Sequence, residues 1–255
     1  MITVRVFLII VFFIISPASF LQSGEKLVDQ QLRELIDIPT AGTLPNKCVG
    51  IDLRLYPQGG VLAGGGIGIL NRLTFAVYYG GENVIGDGKV NWNPQIGVEL
   101  RARIIDESFA LPAIAIGFST QGWEGYQKAL DRYTIKARGF YVVASRNYQL
   151  IGNLGFHAGV NKSIENDDGD DDINVFVGMD KELYNGIELL IDYDFALNDN
   201  GQHAIGEGNG YLNIGIRWAV TQNYYFEIDF KNLTKNRPHI TEISREIKFG
   251  FARTF

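Results

Sequence analysis

Fourteen charged side chains recur at alternate positions within otherwise apolar stretches of this chain. The basic ones are Arg54, Arg101, Arg103, Lys136, Arg138, Arg217 and Lys231. The acidic ones are Asp52, Glu99, Glu188, Asp192, Asp194, Glu227 and Asp229. A spacing of two sends every one of them to the same face of a strand. Such a face suits the wall of a water-filled interior. Seven against seven disfavours a strongly ion-selective pore, which would carry one sign in excess. The signs are divided along the chain: Arg101, Arg103, Lys136 and Arg138 come together, and most of the acids follow later. Two readings stay open. In one, the charges pair and fill a narrow interior. In the other, they set a transverse field across a constriction and orient a polar solute. The candidates for lining that constriction are Arg101, Arg103, Lys136, Arg138, Asp192, Asp194, Arg217, Glu227 and Asp229.

Other reactive groups are sparse. The three histidines are His157, His203 and His239. His157 shares a strand face with Asn153 and Asn161, and no Ser stands at a recognisable spacing from it, so no catalytic residue is assigned. The segment Glu165-Asn-Asp-Asp-Gly-Asp-Asp-Asp172 packs six carboxylates into eight residues. Its spacing does not match a helix–loop–helix calcium site, and like-charge runs usually stay hydrated at a loop tip. The lone Cys48 excludes an internal disulfide. No phosphate loop, dinucleotide fingerprint or Cys/His spacing occurs, so no cofactor and no metal is expected. A formal charge of −6 offers nothing to nucleic acid.

The elements that must carry these charges are strands. Residues 95–104 alternate Ile96, Val98, Leu100, Ala102 and Ile104 with Gln95, Glu99, Arg101 and Arg103, a period that no helix gives. Similar ladders cover 49–56, 61–70, 73–79, 109–119, 133–144, 150–161, 173–179, 187–195, 212–220, 224–231 and 243–255. The gaps between them alternate long and short, with only the first exception at 57–60. A soluble sandwich also alternates, but it has no reason to segregate loop lengths. The pattern predicts an all-β fold: a transmembrane antiparallel up-and-down β-barrel of about 12 strands over 48–255, with both termini on the periplasmic side. Tyrosines and tryptophans near the predicted strand ends fit two aromatic girdles.

The first residues differ. Arg5 precedes an unbroken apolar run over 6–15, then small residues follow. Residues 1–19 read as a secretory signal peptide, since a spanning helix needs roughly 20 apolar residues. Residues 20–47 read as a periplasmic arm or plug. Within them Leu27, Val28, Leu32, Leu35 and Ile36 recur at helical spacing, which predicts a short helix that Pro39 ends. The Gly face of 61–70 and the Ala/Gly face of 109–119 leave room for such a segment inside.

The chain ends Lys248-Phe-Gly-Phe-Ala-Arg-Thr-Phe255. This resembles the C-terminal β-signal read by the barrel-assembly machinery, with Lys248, Gly250 and the terminal Phe255 as its elements. The stretch over 103–118, with Lys136-Ala-Arg-Gly-Phe-Tyr-Val-Val-Ala-Ser-Arg146, looks like the YjbH-type outer-membrane proteins, a family associated with exopolysaccharide gene clusters. A secreted barrel without a catalytic constellation is expected to be a non-enzymatic protein of the outer membrane of a Gram-negative-type bacterium. Its surroundings would be outer-membrane lipids and lipopolysaccharide. Its function would be a narrow channel or an export-associated barrel for a polar solute such as saccharide. A closed structural or adhesive barrel working through its loops is the alternative, and a membrane hydrolase is a third.

Overall fold

A computed structural model of the chain describes residues 32–237 and 243–255. The expected signal peptide, Leu27, Val28 and His239 lie outside the described residues. Among the described residues fifteen strands are formed: β1 Cys48–Tyr56, β2 Gly60–Ile69, β3 Leu73–Glu82, β4 Asn91–Trp92, β5 Gly97–Ile105, β6 Ala113–Ser119, β7 Trp123–Gln127, β8 Arg132–Ile135, β9 Gly139–Gln149, β10 Asn153–Lys162, β11 Asn174–Tyr184, β12 Ile187–Asp194, β13 Tyr211–Ala219, β14 Tyr224–Lys231 and β15 Ser244–Thr254. Twelve of them form a closed antiparallel ring, in the order β2, β1, β15, β14, β13, β12, β11, β10, β9, β6, β5, β3, with β3 paired back to β2. The first and last strands meet over Cys48↔Thr254 to Leu55↔Ile247, so no edge is left open. β4 extends β3 in one long loop, and β7–β8 is a separate hairpin in another.

The alternation of sequence becomes two faces. Ile51, Leu100, Phe156, Ile216 and Phe249 are exposed on the outside. Arg54, Glu99, Arg101, Asp192, Glu227 and Lys248, from the alternate positions, are buried inside. This inverts a soluble protein, where water takes the polar face, and matches a wall with lipid outside. Tight turns at one end use left-handed residues, such as consecutive Leu70 (φ 56°) and Asn71 (φ 56°), the twist that suits a hairpin.

Three expectations need correction. The run 133–144 is not one strand. Residues Arg132–Ile135 pair with Trp123–Gln127 instead, and the wall strand starts at Gly139. Gly139 has φ +62°, and a Cβ there would meet the Lys162 carbonyl at 2.1 Å, so the chain turns sharply where only glycine fits. Lys136 and Arg138 therefore sit on a link inside the long-loop mouth rather than on the wall. Second, the described part of the expected helix, Leu32 to Ile36, is not helical. The chain folds back there as a narrow turn, with Leu35 N–H donating to Ile38 O at 3.1 Å and Thr40 N–H to Arg33 O at 3.0 Å. Barrel groups satisfy the backbone donors that a helix would have used internally. Third, the strand expected from residue 109 begins at Ala113, and Phe109 is exposed.

Candidate functional site

Residues 32–47 enter the barrel from the short-turn end, turn at 35–38, and return to β1. Leu35, Ile36, Ile38 and Ala41 are fully buried against Ala113, Ala115, Tyr141, Val143, Phe176 and Leu190. The wall is thinned to receive them. A Cβ on Gly178 would stand 2.3 Å from Leu35 Cδ1 and 2.8 Å from Ile38 Cδ1. On the opposite side Leu44 packs near Gly66.

The polar groups of this arm divide by sign. The carboxylate of Glu34 meets Arg54 at 2.7 Å and Arg138 at 3.0 Å. That of Asp37 meets Lys231 at 2.9 Å and Arg54 at 3.4 Å. Arm carbonyls take further cations: Lys248 donates to Ile36 O at 2.8 Å, Arg138 to Asp37 O at 2.6 Å and Arg101 to Gly42 O at 3.0 Å. The arm's amides face the other way. Ile36, Asp37 and Ile38 N–H all donate to Asp192 Oδ2, at 3.1, 2.8 and 3.3 Å. Asn213 fixes the other oxygen of Asp192 at 2.8 Å. Among the described residues the lumen charges pair extensively, and the arm meets wall cations through its carboxylates and carbonyls and Asp192 through its amides.

The long loops close the other end. The hairpin β7–β8 brings Trp123 down onto the arm, where its Nε1 donates to Asp37 O at 3.0 Å. The guanidinium of Arg54 lies 3.7 Å from the Trp123 ring centroid and that of Arg138 5.2 Å from it. Behind it, Arg132 joins Asp168 and Asp199, each at 2.6 Å, and Lys136 joins Asp168 at 2.8 Å. Asp170 accepts the backbone N–H of Asn200 and Gly201. The acidic run is therefore not simply a hydrated tip: Asp168 and Asp170 are buried and knit three loops together. Burial pushes the Glu165 carboxyl up to about 7, although Ala137 and Tyr133 N–H both donate to it. For Asp168 burial also pushes up, but hydrogen bonds from Lys136, Asp170 N–H and Arg132 hold the carboxyl below its usual range. Among the described residues no cluster of His, Cys, Asp or Glu could hold a metal. The cavities beside the arm are small. One of about 80 Å³ opens at the short-turn end near Arg33, Asp52 and Tyr225. Another of about 20 Å³ lies under Trp123, Asp194 and Tyr211, room for about one water.

The structure brings Arg101, Arg138, Asp192, Arg217 and Glu227 together around the arm. Arg217 pairs with Glu227, and Lys248 bridges Glu227 at 2.8 Å and Asp229 at 2.9 Å. Asp194 and Lys136 stand nearer the long-loop mouth: Asp194 accepts from Asn174 and Ala196 N–H. Arg103 is at the short-turn rim, donating to Asn71 O and paired with Asp106, away from any constriction. Lys248, read as part of a terminal signal, is also a lumen cation. Gly250 packs under the Tyr225 ring, and Phe255 is exposed. Residues missed from sequence include Glu34, Asp37 and Trp123, which lie outside the strand ladder whose alternation marked the others. Glu246 and Lys248 share one parity on the final strand, and both are buried lumen charges. Ser145 was also missed. His157 Nδ1 lies 2.8 Å from Ser145 Oγ, its Nε2 2.8 Å from Asp180 Oδ1, and Ser145 Oγ accepts Ala41 N–H at 2.8 Å. The three residues come from three neighbouring strands, so no linear spacing reveals them. The chain of bonds brackets wall to arm.

No family model matches this chain, and no curated protein matches it, so the YjbH-type resemblance finds no support there. Among solved structures, a KdgM porin aligns over 82% of this chain and 99% of its own, at 9% identity and a TM-score of 0.52. A KdgM porin in complex with disordered oligogalacturonate covers the same shares at 10% identity and 0.49. A NanC porin covers 81% and 99% at 8% identity and 0.45. The fold is that of an outer-membrane-type β-barrel.

Proposed function

We propose that the chain is a non-enzymatic outer-membrane channel for a carboxylated polar solute of saccharide size, with its lumen closed at rest by residues 32–47. One observation carries this reading. The arm tip occupies the lumen as such a solute would, with carboxylates on Arg54, Arg138 and Lys231 and N–H donors on Asp192. A uronic acid offers the same pair of chemistries, a carboxylate and a set of hydroxyl donors. Arg54 and Lys231 also share Glu246 on β15, at 3.1 and 3.2 Å, so Arg138 is the cation whose ion-pair partner a neutral sugar would not replace, which is costly in a desolvated site. A barrel whose interior served only to stiffen it would gain more from apolar filling than from buried ion pairs. On this reading residues 1–19 are the export signal, the aromatic rims sit in lipid and lipopolysaccharide, and Lys248, Gly250 and Phe255 address the chain to the barrel-assembly machinery.

The test is planar-bilayer recording of the full chain and of a variant lacking residues 24–46. The full chain should give little steady current. The shortened variant should conduct steadily, and glucuronate should block that current more strongly than glucose. A folded shortened barrel that passes no current would sink the channel reading.

A further inference from the structure

The short-turn rim is not uniform. On one side of the ring the consecutive turns β5–β6, β9–β10 and β11–β12 carry Phe109, Leu111, Leu150, Ile151, Leu183 and Tyr184, all exposed. Phe109 is 99% exposed and Ile151 94%. On the other side the β13–β14 turn is Thr221-Gln-Asn223. Contiguous apolar tips on a surface mark a protein- or membrane-binding face. Ile151 also has φ 45°, a left-handed backbone that a β-branched residue adopts only against strain. A turn in water would favour Asn or Gly there.

The charges among these tips are satisfied from within. Arg146 and Lys181 lie on the outer parity, opposite Phe156 and Leu154 of the strand between them. Both fold back onto the turns. Lys181 Nζ donates to Leu150 O at 3.0 Å, Ile151 O at 2.6 Å and Asn153 O at 3.3 Å, one carbonyl for each of its three N–H. Arg146 donates to the carbonyls of Ser108, Phe109 and Leu111. Glu107 accepts the backbone and side-chain amides of Asn147 at 2.8 and 2.7 Å, and Glu182 accepts Asn153 N–H at 3.0 Å. A long cationic side chain near water or headgroups extends towards them. Folding back onto carbonyls suits surroundings without water, where each polar group needs a partner from the protein. The same bonds tie the three turns into one lip.

We infer that this lip is immersed in the acyl chains of the inner leaflet, so that the barrel sits deeper at β5–β12 than at β13–β14. Lipid is the occupant because the lip continues the outer wall of Phe140, Val142 and Phe156. Its charges, already satisfied, also offer a protein partner little to pair with. The arm begins on the other side of the mouth, where Leu32 lines a cavity with Thr221, Asn223 and Phe251. The inference rests on the reading of the outer wall as lipid-facing.

The experiment uses the full chain with Cys48→Ala and one nitroxide-labelled cysteine, in vesicles of phosphatidylethanolamine and phosphatidylglycerol. Phe109→Cys and Ile151→Cys report the lip, Gln222→Cys the polar turn and Phe156→Cys the middle of the wall. Collisions with oxygen, which concentrates in lipid, are compared with collisions with a water-soluble nickel chelate equilibrated on both faces. The oxygen-to-nickel ratio at positions 109 and 151 should exceed that at 222 severalfold and approach that at 156. Ratios at 109 and 151 no higher than at 222 overturn the proposal. Spin–spin broadening at either position overturns it too, by assigning the lip to a second copy. Loss of the shielding in the variant lacking residues 24–46 does the same, by assigning it to the arm. A low ratio at 156 as well shows instead that the lipid-facing reading of the wall fails. Ile151→Asn supplies an independent sign. Asn relieves the left-handed strain, so for a tip in water the swap raises the urea midpoint. In vesicles the midpoint should fall, and a raised or unchanged value overturns the inference.

Discussion

Trp123 shows how one residue can be decisive without belonging to any periodic pattern. Its ring lies between two guanidinium groups, and its indole N–H holds the arm, so it joins the outer loops to the lumen. Glu165 makes a second residue-scale point. Its carboxyl is raised from 4.5 to about 7 by burial, so the folded loops bind its proton more tightly than the unfolded chain does. The resulting stabilisation is fully present below about pH 4.5 and is lost as pH rises through about 7. Protection of the Tyr133 and Ala137 amides from hydrogen exchange, corrected for intrinsic rate, should fall across that window. Glu165→Gln should start with lower protection and show no such slope. A slope that survives in the Gln variant would assign the titration elsewhere. Asp168 works in the opposite sense: its contribution is lost only when acid protonates it.

At the scale of elements, the arm is positioned by absences in the wall. Gly178 on β11 leaves space for Leu35 and Ile38, and Ala113 and Ala115 on β6 do the same beside it. Gly178→Val should therefore push the arm aside without touching any charge. We expect steady current from this full-length variant, approaching that of the arm-deleted chain. A core overpacked in this way typically loses about 1–3 kcal/mol, so thermal melting should drop modestly. Unchanged current with the lower melting temperature would mean that the arm repacks in place. The Ala/Gly face of 109–119, like the Gly face of 61–70, was readable as a small-residue wall, whereas Gly178 on β11 carried no such signal. The shape of what occupies it was not. Leu32, Leu35 and Ile36 at helical spacing promised a helix, yet the described segment makes a turn, because Asp192 and the wall cations supply the backbone partners.

For the whole molecule, closure of β1 on β15 removes the last edge, and every wall strand shares in the same ring. The terminal Phe255 contributes little to that ring: its side chain is exposed and its N–H merely meets Lys47 O at 3.2 Å. If it serves as an assembly address, Phe255→Ala should lower the amount of barrel inserted in membranes severalfold. The melting temperature of protein refolded in detergent should stay within about 2 °C, since an exposed side chain usually changes stability by less than about 0.5 kcal/mol. An equal loss in both measurements would make the residue structural instead.

Sequence by itself determined the two-faced strands, their even number and the alternation of turns with long loops. Period-two patterning is a local property, and a ring of strands is the one spanning form that satisfies every backbone group in lipid. It also marked most of the lumen charges, because they share one parity. Tertiary structure alone decided which of those charges meet. Arg103 and Arg101 differ by two positions, yet one caps a turn and the other grips the arm. Only the folded ring brings Glu34 to Arg138, Asp37 to Lys231, and Ser145 to His157 and Asp180. Those partners lie on different strands or loops, and pairing across a lumen depends on closure and stagger, which no local spacing encodes.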